Sequence, residues 1–299
     1  MGQNSRELEA DASRRGRIRL AIWASVVVVI VIVFIILAKG VANSPSSNTK
    51  TGDSTLASPA VLKAVTTVKS SVFETVGAGS VQKLPEPITA PALTQGGKPR
   101  IVYIGAEYCP YCAAERWGMV VALSRFGTFS NLHQSHSATQ DVFPNTQTFS
   151  FHGSSYTSQY LVFNGVETTS NQQQGSSYAP LDTPTSDEQA LLSTYDNAPY
   201  VAASSAGSIP FVDFGGRYLI SGASYDPQLL QGKSADQIAS GLSDPNNAAT
   251  KGIIGTANAI TAAICKLTDG QPGNVCTSAA IKSLQQKIDA QPSNVPAGK

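Results

Sequence analysis

The chain is short of charge. Asp, Glu, Lys and Arg make up 14% of its 299 residues, against roughly a quarter in an ordinary soluble protein. The formal net charge is only +1, which leaves no basic footprint for nucleic acid. Cysteine is limited to four residues: Cys109, Cys112, Cys265 and Cys276. A single close Cys-x-x-Cys pair can be drawn from them, whereas a zinc ribbon needs two. Long apolar runs are also missing, with one exception near the start.

That exception is Leu20 to Leu37, in which Ser25 is the one polar residue. Its length suits a single membrane helix. Arg6, Arg14, Arg15, Arg17 and Arg19 precede it and Lys39 follows. The positive-inside rule then puts residues 1–19 in the cytoplasm, a transmembrane helix over 20–38 and the rest outside. A cleaved signal peptide ending at Gly40-Val-Ala42 is the rival, but the apolar stretch exceeds the roughly 7–15 residues of a signal core. Either way all four cysteines lie outside the cytoplasm, where an even count suits pairing. Residues 39–57, rich in Ser, Asn, Thr, Gly and Pro, read as a flexible linker. Beyond the anchor, near-neutral charge excludes a polybasic patch hugging the membrane.

The chemistry concentrates in Ile101-Val-Tyr-Ile-Gly-Ala-Glu-Tyr-Cys-Pro-Tyr-Cys112. Ile101 to Ile104 is β-branched and aromatic, as in a strand buried on both faces. From Cys109 the period changes: Ala113, Trp117, Val120 and Val121 mark one face of a helix bounded by Gly127. Pro110 suits the first helical turn. Cys109 is therefore expected to cap a helix, where free N–H groups and the helix dipole favour a thiolate. In a redox pair Cys109 is the exposed nucleophile and Cys112, one turn in, the shielded resolving thiol.

Taken in order, Ser58-Pro59 predicts a helix with Val61, Leu62, Val65 and Val68 on its apolar face. Residues 84–99 read as an extended connector, and 58–99 as an N-terminal extension. After the redox helix, the polar stretch Ser130 to Gln140 reads as a solvated loop. Within it His133 and His136, with Asp141 near, are weighed as metal ligands and set aside. His152 reads as a hydrogen-bonded structural histidine. Thr146 to Phe151 or Tyr160 to Phe163 supplies the parallel strand reached by the helical crossover, and Gly165 to Thr185 reads as loop. Ser186-Asp-Glu-Gln189 predicts a capping box and a helix to Tyr195. Phe211 to Phe214 and Tyr218 to Ile220 predict a hairpin turning at Gly215-Gly216, with Pro210 just ahead of it. Ser234 caps a further helix. A longer one carries Ile253, Ala257, Ile260 and Ile264 on one face and ends at Cys265. Cys276 is expected to begin the next, with Ile281, Leu284 and Ile288. A Cys265–Cys276 disulfide stapling this C-terminal helical hairpin is worth on the order of 3 kcal/mol.

A strand, a Cys-x-x-Cys helix, a crossover strand, a proline-led hairpin and a closing helix together resemble the thioredoxin fold. Ala106-Glu-Tyr-Cys-Pro-Tyr-Cys112 is similar to thioredoxin's active-site turn, and its Pro-Tyr dipeptide to that of glutaredoxins. Ser208-Ile-Pro210 resembles the cis-proline loop. That resemblance implies a cis Pro210, with Ile209 facing the disulfide and a substrate groove shaped by Pro110, Tyr111, Ile209 and Pro210. The separation of Cys109 and Pro210 is similar to that in bacterial Dsb-type enzymes, which carry a helical insertion there. Where thioredoxins bury an acid six residues before the first cysteine, this chain has Tyr103; Glu107 is the nearest stand-in, expected to be exposed. From about Ser58 to Gln291 the chain also resembles a membrane-anchored prokaryotic family catalogued as a domain of unknown function. Gly105-Ala-Glu-Tyr-Cys-Pro-Tyr-Cys-Ala-Ala-Glu-Arg-Trp117 and Ala122-Leu-Ser-Arg-Phe-Gly127 carry that likeness.

The expected protein is thus α/β: a central mixed sheet flanked by helices, over residues 100–244 with a helical or loop insertion. Residues 245–299 form a helical hairpin packed on it, and one transmembrane helix precedes it. The expected activity is thiol–disulfide exchange by Cys109 and Cys112, without cofactor, on client protein thiols and disulfides. A membrane or extracytoplasmic redox partner would recharge the pair. A non-catalytic interaction module of the cell envelope, or a metal-delivery protein using the same pair, are the alternatives.

Overall fold

The computed structural model describes residues 54–293. The expected cytoplasmic segment, transmembrane helix and most of the linker lie outside the described residues. Among those described, no helix is long and apolar enough to cross a membrane.

Strand β1 (Thr55–Leu56), read as part of the linker, precedes α1 (Pro59–Thr66) and α2 (Ser70–Val76). Helix α1 starts as its sequence dictates: Ser58 Oγ accepts the Val61 N–H at 3.2 Å and Pro59 takes the first turn. The connector to residue 99 forms two short strands, β2 (Glu86–Pro87) and β3 (Thr94–Gln95). Strand β4 (Lys98–Gly105) leads into α3 (Pro110–Leu123). Four strands follow: β5 (Gly127–Ser130), β6 (His133–His136), β7 (Gln147–Ser150) and β8 (Ser155–Ser158). Next come β9 (Val162–Glu167), β10 (Thr169–Gln174), β11 (Ser177–Pro180) and α4 (Ser186–Tyr195). The chain closes with β12 (Phe211–Phe214), β13 (Tyr218–Ser221), α5 (Ala235–Gly241), α6 (Ala248–Leu267), α7 (Gly273–Cys276) and α8 (Ala279–Asp289).

This is a mixed α/β architecture built on β4. Along one edge β4 pairs antiparallel with β12, which continues to β13 and β2. Along the other it pairs parallel with β9, from Arg100 opposite Val162 to Gly105 opposite Glu167. Strand β3 folds back onto its first residues. Side chains alternate across the pleat. Ile101 and Tyr103, with Val212, Phe214 and Ile220, join the core that holds Trp117 of α3 and Ile260 of α6. Val102 and Ile104, with Phe211 and Leu219, face Leu191, Leu192 and Tyr195 of α4. Val61, Val65 and Phe73 from the N-terminal extension and Ile281 and Leu284 from the C-terminal hairpin belong to the first of these cores. The flanking segments are therefore part of one packed unit.

Three expectations need correction. The insertion between Cys109 and Pro210 is built on strands more than on helix: β5 pairs β8, β7 and β1 flank β6, and β10 pairs β11. Ser130–Gln140 thus contains β6, and Gly165–Thr185 contains the end of β9 and the β10–β11 hairpin, where loops were expected. Their polar composition hid this, because ladder bonds use the backbone and small hydroxyl side chains bury easily. Thr148, fully buried, donates its hydroxyl to the Ala113 carbonyl of α3 at 2.7 Å. Second, the capping box starts one residue earlier, at Thr185 with Glu188. Both registers fit the motif, and the Arg100–Glu188 ion pair at 2.8 Å favours the one found. Third, Cys276 ends the short α7 instead of beginning the long helix. The Cys265–Cys276 disulfide itself is formed, with Cα atoms 5.5 Å apart.

Helices α3 and α6 cross at Gly118. A methyl there would sit 2.5 Å from the Thr256 side chain and 3.5 Å from the Ala257 nitrogen, too close for a packed core. Gly118→Ala should therefore destabilise the protein by about 1–3 kcal/mol, measured by denaturant unfolding. Unchanged stability would show that the helices part at little cost.

Candidate functional site

Cys109 is the N-cap of α3, with extended backbone at φ −77° and ψ 122°. Pro110 is the first helical residue, and the Cys112 N–H points back to the Cys109 sulfur at 3.3 Å. Cys109 and Cys112 are free thiols. The sequence expectation holds for the cap and fails for exposure: only 5% of Cys109 is accessible and Cys112 is sealed. The chain folds over the sulfur because the insertion closes around it. The Ala138 N–H donates to the Tyr108 carbonyl at 2.8 Å, and the Tyr108 ring stacks on Tyr178 at 4.3 Å. Tyr111 stands clear at 41% exposure, edge-on to Phe143.

The Ile209–Pro210 peptide is cis. It is the Ile209 carbonyl that faces the cysteine pair, accepting from the Cys109 thiol at 3.7 Å. Pro210 is buried, and its own carbonyl accepts the Gly222 N–H at 2.8 Å. Cys109, Cys112, Ile209 and Pro210 are thus together. Cys265 and Cys276 take no part: they bridge α6 and α7.

One expectation about the acids changes. Glu107 is wholly buried, and neither carboxylate oxygen has a hydrogen-bond partner. Tyr103, at the position of the missing acid, is buried with an unpartnered hydroxyl. His133 and His136 sit three apart on β6, so they point to opposite faces of a strand. Among the described residues no three His, Cys, Asp or Glu groups could hold a metal. His152 Nδ1 meets Asp182 at 2.6 Å, consistent with a structural role.

Sequence reasoning missed two charged residues of α3. Arg116 is fully buried; its Nε donates to Glu167 Oε1 at 2.8 Å, and its Nη2 reaches both Glu167 Oε2 and the Ala106 carbonyl. Glu115, equally buried, accepts from the Ser224 N–H at 2.8 Å and the Ser224 hydroxyl at 3.0 Å. The signal was present: Glu115-Arg116 is the only charged pair within the apolar run Ala113 to Leu123, and buried charges demand partners.

These surroundings split the two thiols. The Cys112 thiol's hydrogen bond pulls Cys109 below the ordinary thiol value. Burial opposes it, while the Cys112 and Tyr111 N–H groups and the Arg116 charge assist. Cys112 is driven well above that value by burial, then by its bond to Cys109 and the nearby Cys109 charge. One thiol thereby ionises more readily than the other. Burial pushes the Glu167 carboxyl up and Arg116 pulls it down; the two-point geometry favours the ionised pair.

Burial also raises Glu115 to about 7. The folded carboxyl then holds its proton at higher pH than the unfolded one, so stability falls as pH climbs from about 4.5 through 7. Asp196 and Asp213, each raised to about 6 by burial, act with the same sign. Glu115→Gln should flatten the loss by on the order of 3 kcal/mol, read from unfolding free energies across that range. An unchanged slope would show that Glu115 is already ionised at the lower pH.

Residues 88–266 match the model of a family described as a domain of unknown function, DUF929. No curated protein and no solved structure matches the chain. The matched span covers most of the chain, including the whole Cys-Pro-Tyr-Cys turn and the Ile209–Pro210 loop, and the chain accordingly belongs to the DUF929 family.

Proposed function

We propose that this protein is a membrane-tethered thiol–disulfide oxidoreductase of thioredoxin-like fold, acting outside the cytoplasm on protein thiols and disulfides. One observation carries the reading: a Cys109 sulfur at the start of a buried helix, receiving the Cys112 N–H and facing the Ile209 carbonyl. The fold assignment draws support from the strand order β9-β4-β12-β13, with β9 reached through α3 and parallel to β4. The Cys265–Cys276 disulfide suits an oxidising compartment. The membrane anchor over residues 20–38 rests on the sequence argument.

In the reducing direction, the Cys109 thiolate attacks one sulfur of a client disulfide. That S–S bond breaks, and the second client sulfur leaves as a thiolate. Cys112, deprotonated as it approaches, then attacks the Cys109 sulfur and expels the first client thiolate. Two electrons have passed from the pair to the client, and the Cys109–Cys112 disulfide remains. The reverse sequence oxidises a client dithiol. Electrons pass between sulfurs throughout, so no cofactor is needed, and a redox partner at the membrane or beyond resets the pair. Pro110, Tyr111, Ile209 and Pro210 would frame the client. Tyr111 and the 61%-exposed Val142 beside Phe143 offer an apolar rim, which fits a polypeptide better than a small thiol.

A second reading, a non-catalytic binding module, is favoured by the near-complete burial of Cys109. Trapping separates the two. Cys112→Ser should accumulate mixed disulfides through Cys109, visible as reductant-sensitive bands on non-reducing gels, and the added Cys109→Ser change should abolish them. An empty lane for Cys112→Ser would contradict the oxidoreductase reading.

A further inference from the structure

We propose that Arg116 and Glu167 form a positioning pair that sets how readily Cys109 ionises, Arg116 promoting the thiolate and Glu167 restraining it. The inference rests on the oxidoreductase reading for its purpose, though not for its measurement. Arg116 follows Cys112 by four residues and Cys109 by seven, which puts all three on one side of α3. Its guanidinium is locked at three points, two on Glu167 and one on the Ala106 carbonyl. That same carbonyl accepts the Cys109 N–H at 3.2 Å. The cation is thus fixed to the turn that presents the sulfur. Its remaining donor, Nη1, has no partner.

Glu167 is held from the opposite element. It ends β9 across from Gly105, its backbone N–H donates to Asp182 at 3.0 Å, and its Oε1 also accepts the Phe151 N–H at 3.2 Å. Cation and acid are therefore placed by a helix and a strand that meet beneath the thiols. The other ionisable groups facing this spot are Tyr103 on β4, Glu107 and Tyr108 in the turn, and Cys112. Stability alone does not account for the pair, because apolar residues of similar volume commonly serve a buried site as well or better. A charge directed at the Cys109 turn and a countercharge limiting it do account for it.

The two residues pull oppositely, which makes the idea testable. The pH profile of Cys109 alkylation by iodoacetamide, read by peptide mass, gives the midpoint of its ionisation. Glu167→Gln leaves the Arg116 charge unopposed and should move that midpoint down by about one unit. Arg116→Met should move it up by about as much. Damage to the fold would move both the same way, so two shifts of one sign, or none, would overturn the proposal. A single variant that no longer unfolds cooperatively is replaced by two others. Arg116→Lys keeps the charge and should stay within about half a unit of wild type, while Arg116→Met with Glu167→Met removes two opposing charges and should also stay within about half a unit of it. A double variant displaced by a full unit in either direction would overturn the proposal as surely. Should wild-type Cys109 resist alkylation at every pH, the oxidoreductase reading falls too. Reactive wild type with unseparated variants would sink the charge pair alone.

Discussion

A helix buried on every side must find a partner for each polar side chain it carries. Helix α3 is such a helix: of Pro110 to Leu123 only Tyr111 reaches solvent freely. Its two ionisable side chains, Glu115 and Arg116, cannot turn to water, and leaving the Arg116 charge uncompensated would cost about 3–5 kcal/mol. Their partners are not scattered. Ser224 lies just past β13, Ala106 opens the turn before Cys109, and Glu167 closes β9. Satisfying the helix therefore fixes the segments on three sides of Cys109 and Cys112.

The same burial gives the proposed chemistry its asymmetry. Cys109 sits where the helix begins and backbone N–H groups are free to meet a sulfur. Cys112, one turn deeper, is held as a thiol chiefly by burial, helped by its bond to Cys109. Two identical side chains three residues apart thereby acquire opposite tendencies. The insertion strands add a cover that leaves Cys109 a narrow opening and Tyr111 an open face, so access becomes a matter of how a client is presented.

Much of this was legible in the chain. Ile101–Ile104 announced a doubly buried strand, and Ser58, Pro110 and Ser234 marked helix starts because capping is local and depends on few residues. The hairpin at Gly215-Gly216 followed from two glycines that both adopt positive φ. Less legible were β6 and the β10–β11 hairpin, whose Ser, Gln and Asn residues carry no apolar alternation and form their ladders through the backbone. The roles of Arg116 and Glu167 were hidden for another reason. They are 51 residues apart, and the charged pair inside the apolar run of α3 did not say which distant segment would supply the partner. The same blindness made Cys109 seem exposed.

The account stands or falls on whether Cys109 and Cys112 cycle between dithiol and disulfide under conditions a cell envelope can supply. Equilibration of the purified protein against glutathione buffers of graded potential, with the two cysteine pairs followed separately by mass, measures this directly. The account predicts a reversible Cys109–Cys112 couple with a midpoint above roughly −300 mV, in the range of exchange-active pairs. A pair that never closes, or one that stays oxidised well below that potential as structural disulfides do, would contradict it.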